Sequence, residues 1–181
     1  MHRTRFPLLS TLSVALILIL AGASAFAATL TWDADTVTGG AQDGAGTWNT
    51  VAANWWNGAA DQTWPNTTSD NAVFGAGSGA AGTVAVGSVT ANSITFNSAG
   101  SGNYVLGGGT ITLRGQLGWS NVPNVTVNSD AAINSNIAMT LTNGLVLGGA
   151  GKLTFGGSVS YNGGLGLANT STLSIVPGGS V

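Results

Sequence analysis

The 181-residue sequence contains no cysteine and no glutamate, and charged side chains make up only 6% of it. Without cysteine there is no disulfide, no thiolate nucleophile and no cysteine-ligated metal. Stability must come from burial and backbone hydrogen bonds. The single histidine is His2, at the extreme N-terminus. It lies in a leader read below as removable, so Ser–His, Cys–His and histidine–metal chemistry are excluded from the mature chain. Basic residues are nearly as scarce. Beyond Arg3 and Arg5 the chain holds only Arg114 and Lys152. Against them stand Asp33, Asp35, Asp43, Asp61, Asp70 and Asp130, and two cations with six carboxylates leave a mature net charge of −4. Such a chain cannot neutralise many phosphates and is not drawn to anionic lipid, which excludes nucleic acid as a partner. Low charge does not here mean disorder, because Val, Ile, Thr and Leu are abundant.

Long hydrophobic runs are also missing, with one exception. Residues 8–21 are apolar apart from Ser10, Thr11 and Ser13, and they follow the basic MHRTR. Two overlapping small-x-small patterns follow, Ala23-Ser24-Ala25 and Ala25-Phe26-Ala27. This is the layout of an export signal, with cleavage expected after Ala27. The run is shorter than the roughly 20 residues needed to span a bilayer, so no transmembrane segment is expected in the mature chain. The organisation expected is a signal peptide at 1–27, a Trp-rich N-terminal capping segment at 28–82, and a parallel β-helix at 83–181, incomplete at its C-terminus.

What is present is tryptophan early and alternation late. Trp32, Trp48, Trp55, Trp56 and Trp64 crowd into the segment before Gly75, and only Trp119 follows. From there on the chain reads TVAVG, SITFN, YVLGG, TITLRG, NVTVN, LVLGG, KLTFGG, SVSYNG and STLSIVPG. Each run alternates apolar residues with Thr or Ser and ends at Gly, Asn or Pro, which is strand followed by turn. VLGGGTITLRG (105–115) echoes VLGGAGKLTFGG (146–157). Interleaved with TVAVG and NVTVN, these echoes place Val84, Val105, Val125, Val146 and Leu167 at steps of 20 or 21. A second register, Ile111, Ile133, Leu153 and Leu173, steps by 20 to 22. A period near 20 with short strands predicts one coil of a β-solenoid per period, with like residues stacked about 4.8 Å apart. An antiparallel sandwich is the rival, since it too has short, regularly spaced strands.

The elements T-W-D, G-x-W-x-x-x-x-x-N-W, D-x-A-V-F, T-V-x-V and S-I-T-F-N occur in this order across Thr29 to Leu113. In that order they resemble the start of bacterial surface proteins with autotransporter-associated β-strand repeats. The resemblance implies a secreted passenger region folded as a right-handed parallel β-helix, at the outer membrane or outside the cell. At its far end the sequence departs from the pattern. It stops at STLSIVPGGSV in mid-repeat, without a barrel or a sorting tail, which reads as a fragment or a released product.

Solenoid ends expose an apolar core and unpaired backbone, so large aromatics placed before the first coil suit a cap. Trp55 and Trp56 are the alternative candidates for stacking on sugar rings. They are adjacent, and adjacent strand residues face opposite ways, so at least one should point inward. Gly77 to Gly82 fits G-x-G-x-x-G, but a strand follows where a dinucleotide site needs a helix, so a turn is expected. Asp33, Asp35 and Asp43 lie close together in DADTVTGGAQDGAG. Their spacing matches neither an EF-hand nor a G-G-x-G-x-D repeat, and a solvated loop is expected. Glycoside cleavage needs paired carboxylates, yet Asp130 stands without a partner in the repeats. Arg114 and Lys152, 38 residues apart, are placed by the period on one face about 10 Å apart, as isolated cations that discourage edge pairing. Asn97, Asn103, Asn128, Asn134, Asn136 and Asn143 fall near strand ends and could stack as amide ladders.

The sequence therefore points to an exported structural or adhesive surface protein, not an enzyme. It would present a polar face to polysaccharide or to other surface proteins, with self-association through its open C-terminal end. No cofactor or metal is expected. The alternative is a carbohydrate-binding module or a polysaccharide-active enzyme on a β-helix.

Overall fold

The computed structural model describes residues 27–66, 70–114, 123–139, 144–160, 163–168 and 172–175. The leader, Trp119 and Asn143 lie outside them. Alternation of apolar and small polar residues produces sixteen strands and, among the described residues, no helix. The early ones are β1 (Thr29–Trp32), β2 (Gly46–Trp48), β3 (Trp55–Trp56), β4 (Asp61–Gln62) and β5 (Asn71–Phe74). The middle ones are β6 (Thr83–Ala91), β7 (Ser93–Phe96), β8 (Tyr104–Leu113), β9 (Asn124–Val127), β10 (Ala131–Ile133) and β11 (Asn136–Met139). The last are β12 (Leu145–Gly148), β13 (Lys152–Phe155), β14 (Val159–Ser160), β15 (Leu165–Leu167) and β16 (Thr172–Ile175).

These strands form two sheets that enclose one apolar interior. The first runs β15-β12-β9-β7-β5-β1-β3-β4. In the second, β2, β6 and β8 pair in series, and β8 then carries two branches. Its first half pairs with β10, followed by β13 and β16, and its second half with β11, followed by β14. From β5 to β16 every pairing joins a strand to its counterpart one coil on, in parallel. The chain is thus a β-solenoid, and the antiparallel sandwich is excluded. Antiparallel pairing is confined to β1–β3 and β3–β4. Parallel pairing also reaches back into the Trp-rich segment, where β1 pairs with β5 and β2 with β6.

The interior ladders differ from those the repeats predict. In the first sheet Leu30, Ala72, Ile94, Val125, Leu147 and Leu167 stack in register. In the second, Val84, Leu106, Ile133, Phe155 and Ile175 do so. Val84, Val105, Val125 and Val146 are not one column. Val84 and Val125 sit in different sheets, and Val105 and Val146 are neighbours of Thr83 and Asn124 on the half-exposed side. The second proposed register also breaks, because Ile111 stacks on Ile137 and Ile133 on Leu106, although Leu153 and Leu173 do pair. The physical reason is that both sheets use the same alternation, so the VLGG echo links strands of different sheets. The in-register step is 22 residues in most coils, as in Ala72 to Ile94 and Val84 to Leu106, and 20 in the last, as in Leu147 to Leu167 and Phe155 to Ile175. It lengthens to 31 between Ile94 and Val125, mostly through the long connection from β8 to β9.

Within β6 and β8 the chain bends around Gly87 and Gly107 to Gly109 without leaving the sheet. Gly108, with a φ of 102°, and Gly109 are the positions there that demand glycine. A Cβ on Gly109 would lie 2.1 Å from the Gly87 carbonyl oxygen, so neighbouring coils could not approach.

Candidate functional site

Two regions hold the side chains that could do more than fill the interior: the N-terminal cap and the outward face of the second sheet. The cap is built on tryptophan. Trp32, Trp48, Trp55 and Trp64 are buried, and Trp55 packs against Trp32, Trp48 and Trp64 with ring centroids 5.5, 5.1 and 4.5 Å away. Phe74 lies beneath at 5.5 Å from Trp55, then stacks on Phe96 at 5.4 Å, joining the cap to the interior of the coils. Trp32 Nε1 donates to the Gly44 carbonyl at 3.0 Å and Trp64 Nε1 to the Thr90 carbonyl at 2.7 Å. The indole N–H groups of Trp48 and Trp55 are buried with no acceptor, a cost of about 1–3 kcal/mol each. The aromatic area buried outweighs it. Of the two sugar-stacking candidates, Trp55 is enclosed and Trp56 is half-buried.

The aspartates expected in a solvated loop do separate structural jobs. Asp43 accepts hydrogen bonds from the backbone N–H groups of Ala76 and Ser78, both at 2.9 Å, and from the Tyr104 hydroxyl at 2.7 Å. The glycine-rich turn from Gly77 to Gly82 therefore does present its amides to an anion, and that anion is the chain's own carboxylate. Burial raises the Asp43 pKa. Hydrogen bonds from Ala76, Tyr104, Ser78 and Gly79 more than offset this and hold it below the usual carboxylate range. Burial, and then the bond to Asp43, push the Tyr104 hydroxyl up. Asp35 turns outward to bind Val37 N at 3.0 Å and Thr38 Oγ1 at 2.7 Å. Asp33 is fully buried. Among the described residues no three acidic side chains converge on a point where a metal could sit.

On the second sheet the outward positions fall into straight rows. Ser88, Thr110, Asn136 and Ser158 follow one another coil by coil, and beside them run Thr90, Thr112, Ala138 and Ser160. A third polar row lies at the start of the first branch. Asn103 donates its side-chain amide to the Asp130 carbonyl at 3.2 Å, and Asp130 Oδ1 accepts the Lys152 backbone N–H at 2.8 Å. Together with Tyr104, Val105, Ala132 and Thr154 they line a shallow groove.

No family model, curated protein or solved structure matches the chain.

The residues singled out in sequence are thus distributed unevenly. Asn97 and Asn128 do form an amide ladder, with Asn128 Nδ2 donating to Asn97 Oδ1 at 2.9 Å. A second ladder, Asn92 Nδ2 to Asn71 Oδ1 at 2.7 Å, was not foreseen. Arg114 and Lys152 do not share a face. Arg114 follows the last residue of β8, whereas Lys152 opens β13, whose partners lie in line with the first half of β8. Asp130 finds a cationic residue and amides beside it instead of a second carboxylate. The Asp43–Tyr104 bond spans 61 residues, and nothing local in the sequence signals it.

Proposed function

We propose that this chain is an exported structural or adhesive surface protein, the first part of a passenger of the autotransporter-associated repeat type, and that it acts by display and not by catalysis. The observation that carries this reading is the set of straight outward rows, Ser88-Thr110-Asn136-Ser158 and Thr90-Thr112-Ala138-Ser160. They repeat hydroxyl and amide groups at the strand spacing of about 4.8 Å, interrupted once in the second row by Ala138. A rigid lattice of neutral donors and acceptors suits a repetitive, uncharged partner such as a surface polysaccharide. The leader-like N-terminus and the ordered motifs between Thr29 and Leu113 support location outside the cytoplasm. A second contact would lie at the last described strands. β15 and β16 are the outermost strands among the described residues, and Leu167 and Ile175 are 56% and 46% exposed there. Stacking of a second copy onto that end fits the same design.

The rival reading, a sugar-binding or sugar-cleaving site, has one observation in its favour, the half-exposed Trp56 next to the polar β4. A binding assay on immobilised neutral polysaccharides separates the readings. With display by the second sheet, the double variant Thr110→Arg, Thr112→Arg loses binding at least tenfold and Trp56→Ala retains it. Loss on Trp56→Ala alone favours the sugar platform. No binding to any polysaccharide by the intact chain overturns polysaccharide display.

A further inference from the structure

Where β1 leaves the first sheet, a carboxylate is buried without a countercharge. Asp33 is fully buried, and its backbone is fixed on both sides. Its N–H donates to the Asn54 carbonyl at 2.9 Å, and its carbonyl accepts Asn54 Nδ2 at 2.8 Å. Asp33 Oδ1 accepts the backbone N–H groups of Asp35 at 3.0 Å and Gln42 at 3.1 Å. Its other oxygen, Oδ2, is buried and receives nothing from any N–H or O–H. Asp61, at the start of β4 and opposite Trp56, has a buried Oδ1 in the same condition. The two side chains are within hydrogen-bonding reach of each other. Two ionised carboxylates at that separation repel, and neither could donate.

The surrounding elements offer no other remedy. β1, β2 and β3 bring no titratable side chain, and β4 brings only Asp61. In the segment after β1, Asp35 is occupied with Val37 and Thr38, and Asp43 with Ala76, Ser78 and Tyr104. The cations among the described residues, Arg114 and Lys152, stand at the end of β8 and the start of β13.

We infer that Asp33 and Asp61 form an acid–carboxylate pair that shares one proton and clasps the β3–β4 hairpin to the end of β1, tightening the cap in mildly acidic surroundings and loosening it when the proton leaves to solvent. Burial, followed by the bond to Asp61 and its charge, pushes the Asp33 pKa up to about 6, against the opposing N–H bonds from Asp35 and Gln42. The folded value thus lies above the ordinary 3.8. The pair's contribution is complete below that ordinary value and is lost as pH rises through about 6. This is the reverse of Asp43, whose depressed value makes its contribution fail in acid.

The test is the melting temperature of the full chain between pH 4.5 and 7.5, read with carbon-13 NMR of the aspartate carboxyls. The wild type is expected to lose about 5 °C across that range and to show one carboxyl titrating near 6. Asp61→Asn is expected to abolish that titration and flatten the curve, and to melt higher than wild type at pH 7.5, because its amide donates to Asp33 Oδ2 at every pH. Asp33→Asn, which keeps an acceptor for the Asp35 and Gln42 amides, is expected to do the same. A wild-type melting temperature that is flat or rises with pH overturns the proposal, as does the absence of any aspartate titrating above pH 5. Recovery of the wild type at pH 7.5 by calcium alone overturns it too, since the pair would then hold a cation instead of a proton.

Discussion

Replacing Trp55 by alanine is expected to lower the unfolding free energy by about 3–5 kcal/mol, the range for removing a fully buried large aromatic. Trp55 is the hub of the cap, with Trp32, Trp48, Trp64 and Phe74 all within 5.5 Å by ring centroid. Its removal leaves a cavity walled by rigid rings that cannot collapse into it, which places the cost toward the upper end. No hydrogen bond is lost, because the Trp55 indole N–H has no acceptor. The whole effect is therefore packing. Trp55→Phe, which keeps an aromatic ring and deletes the orphan donor, is expected to cost less than half as much. Trp56→Ala, at the half-buried neighbour, is expected to cost under about 1 kcal/mol. Urea unfolding followed by circular dichroism measures all three. Equal losses for Trp55→Ala and Trp56→Ala would mean that the cap is not packed as described.

Gly75→Ala is expected to destabilise by about 3–5 kcal/mol, although it adds one methyl group. Two penalties coincide. The backbone at Gly75 has a φ of 99°, a conformation that costs a residue with a Cβ about 1–3 kcal/mol. The added carbon would also fall 2.2 Å from the Asn97 carbonyl oxygen on the next coil. Relief requires the coils to part where Asn97 N donates to the Phe74 carbonyl at 2.7 Å, and forced expansion of this kind adds about 1–3 kcal/mol. Two other glycines separate the terms. Gly102 has a φ of 69° with open space around it, so Gly102→Ala should show the conformational cost alone. Gly107 has neither a positive φ nor a neighbour within 4 Å, so Gly107→Ala should be nearly silent. The order Gly75, Gly102, Gly107 in thermal melts is the expected outcome. A silent Gly75→Ala would mean that the coils are not in contact there.

Strand content was legible because alternation of Thr or Ser with Val, Ile or Leu is a local property. TVAVG, SITFN, NVTVN and KLTFGG all lie on strands. Register was not legible, because it depends on which sheet a strand enters, and both sheets bury the same alternation. YVLGG and TITLRG read as two strands with a turn between them. They form the single bent β8, because glycine at the bend lets the chain turn while its hydrogen bonds continue. Short strands of small residues, such as β10 and β15, carry too little pattern to be found alone. The tryptophan cap could be inferred because a solenoid end must be closed. The Asp33–Asp61 and Asp43–Tyr104 contacts could not, since each joins residues brought together only when the chain has folded.

The stacking of coils can be measured directly, and the absence of cysteine makes the measurement clean, since no native thiol competes with an introduced pair and bridging between molecules is read as dimer on a non-reducing gel. Thr95 and Thr126 are in-register neighbours on β7 and β9, half-exposed and free of the interior. In the double variant Thr95→Cys, Thr126→Cys, mild oxidation is expected to give an intramolecular disulfide, because paired strands hold their Cα atoms about 5 Å apart. Thr95→Cys combined with Gly148→Cys, one coil further along the same row, spans about 10 Å and is expected to stay reduced. Bridging of the distant pair, or failure of the adjacent pair to bridge, would contradict the stacked-coil arrangement.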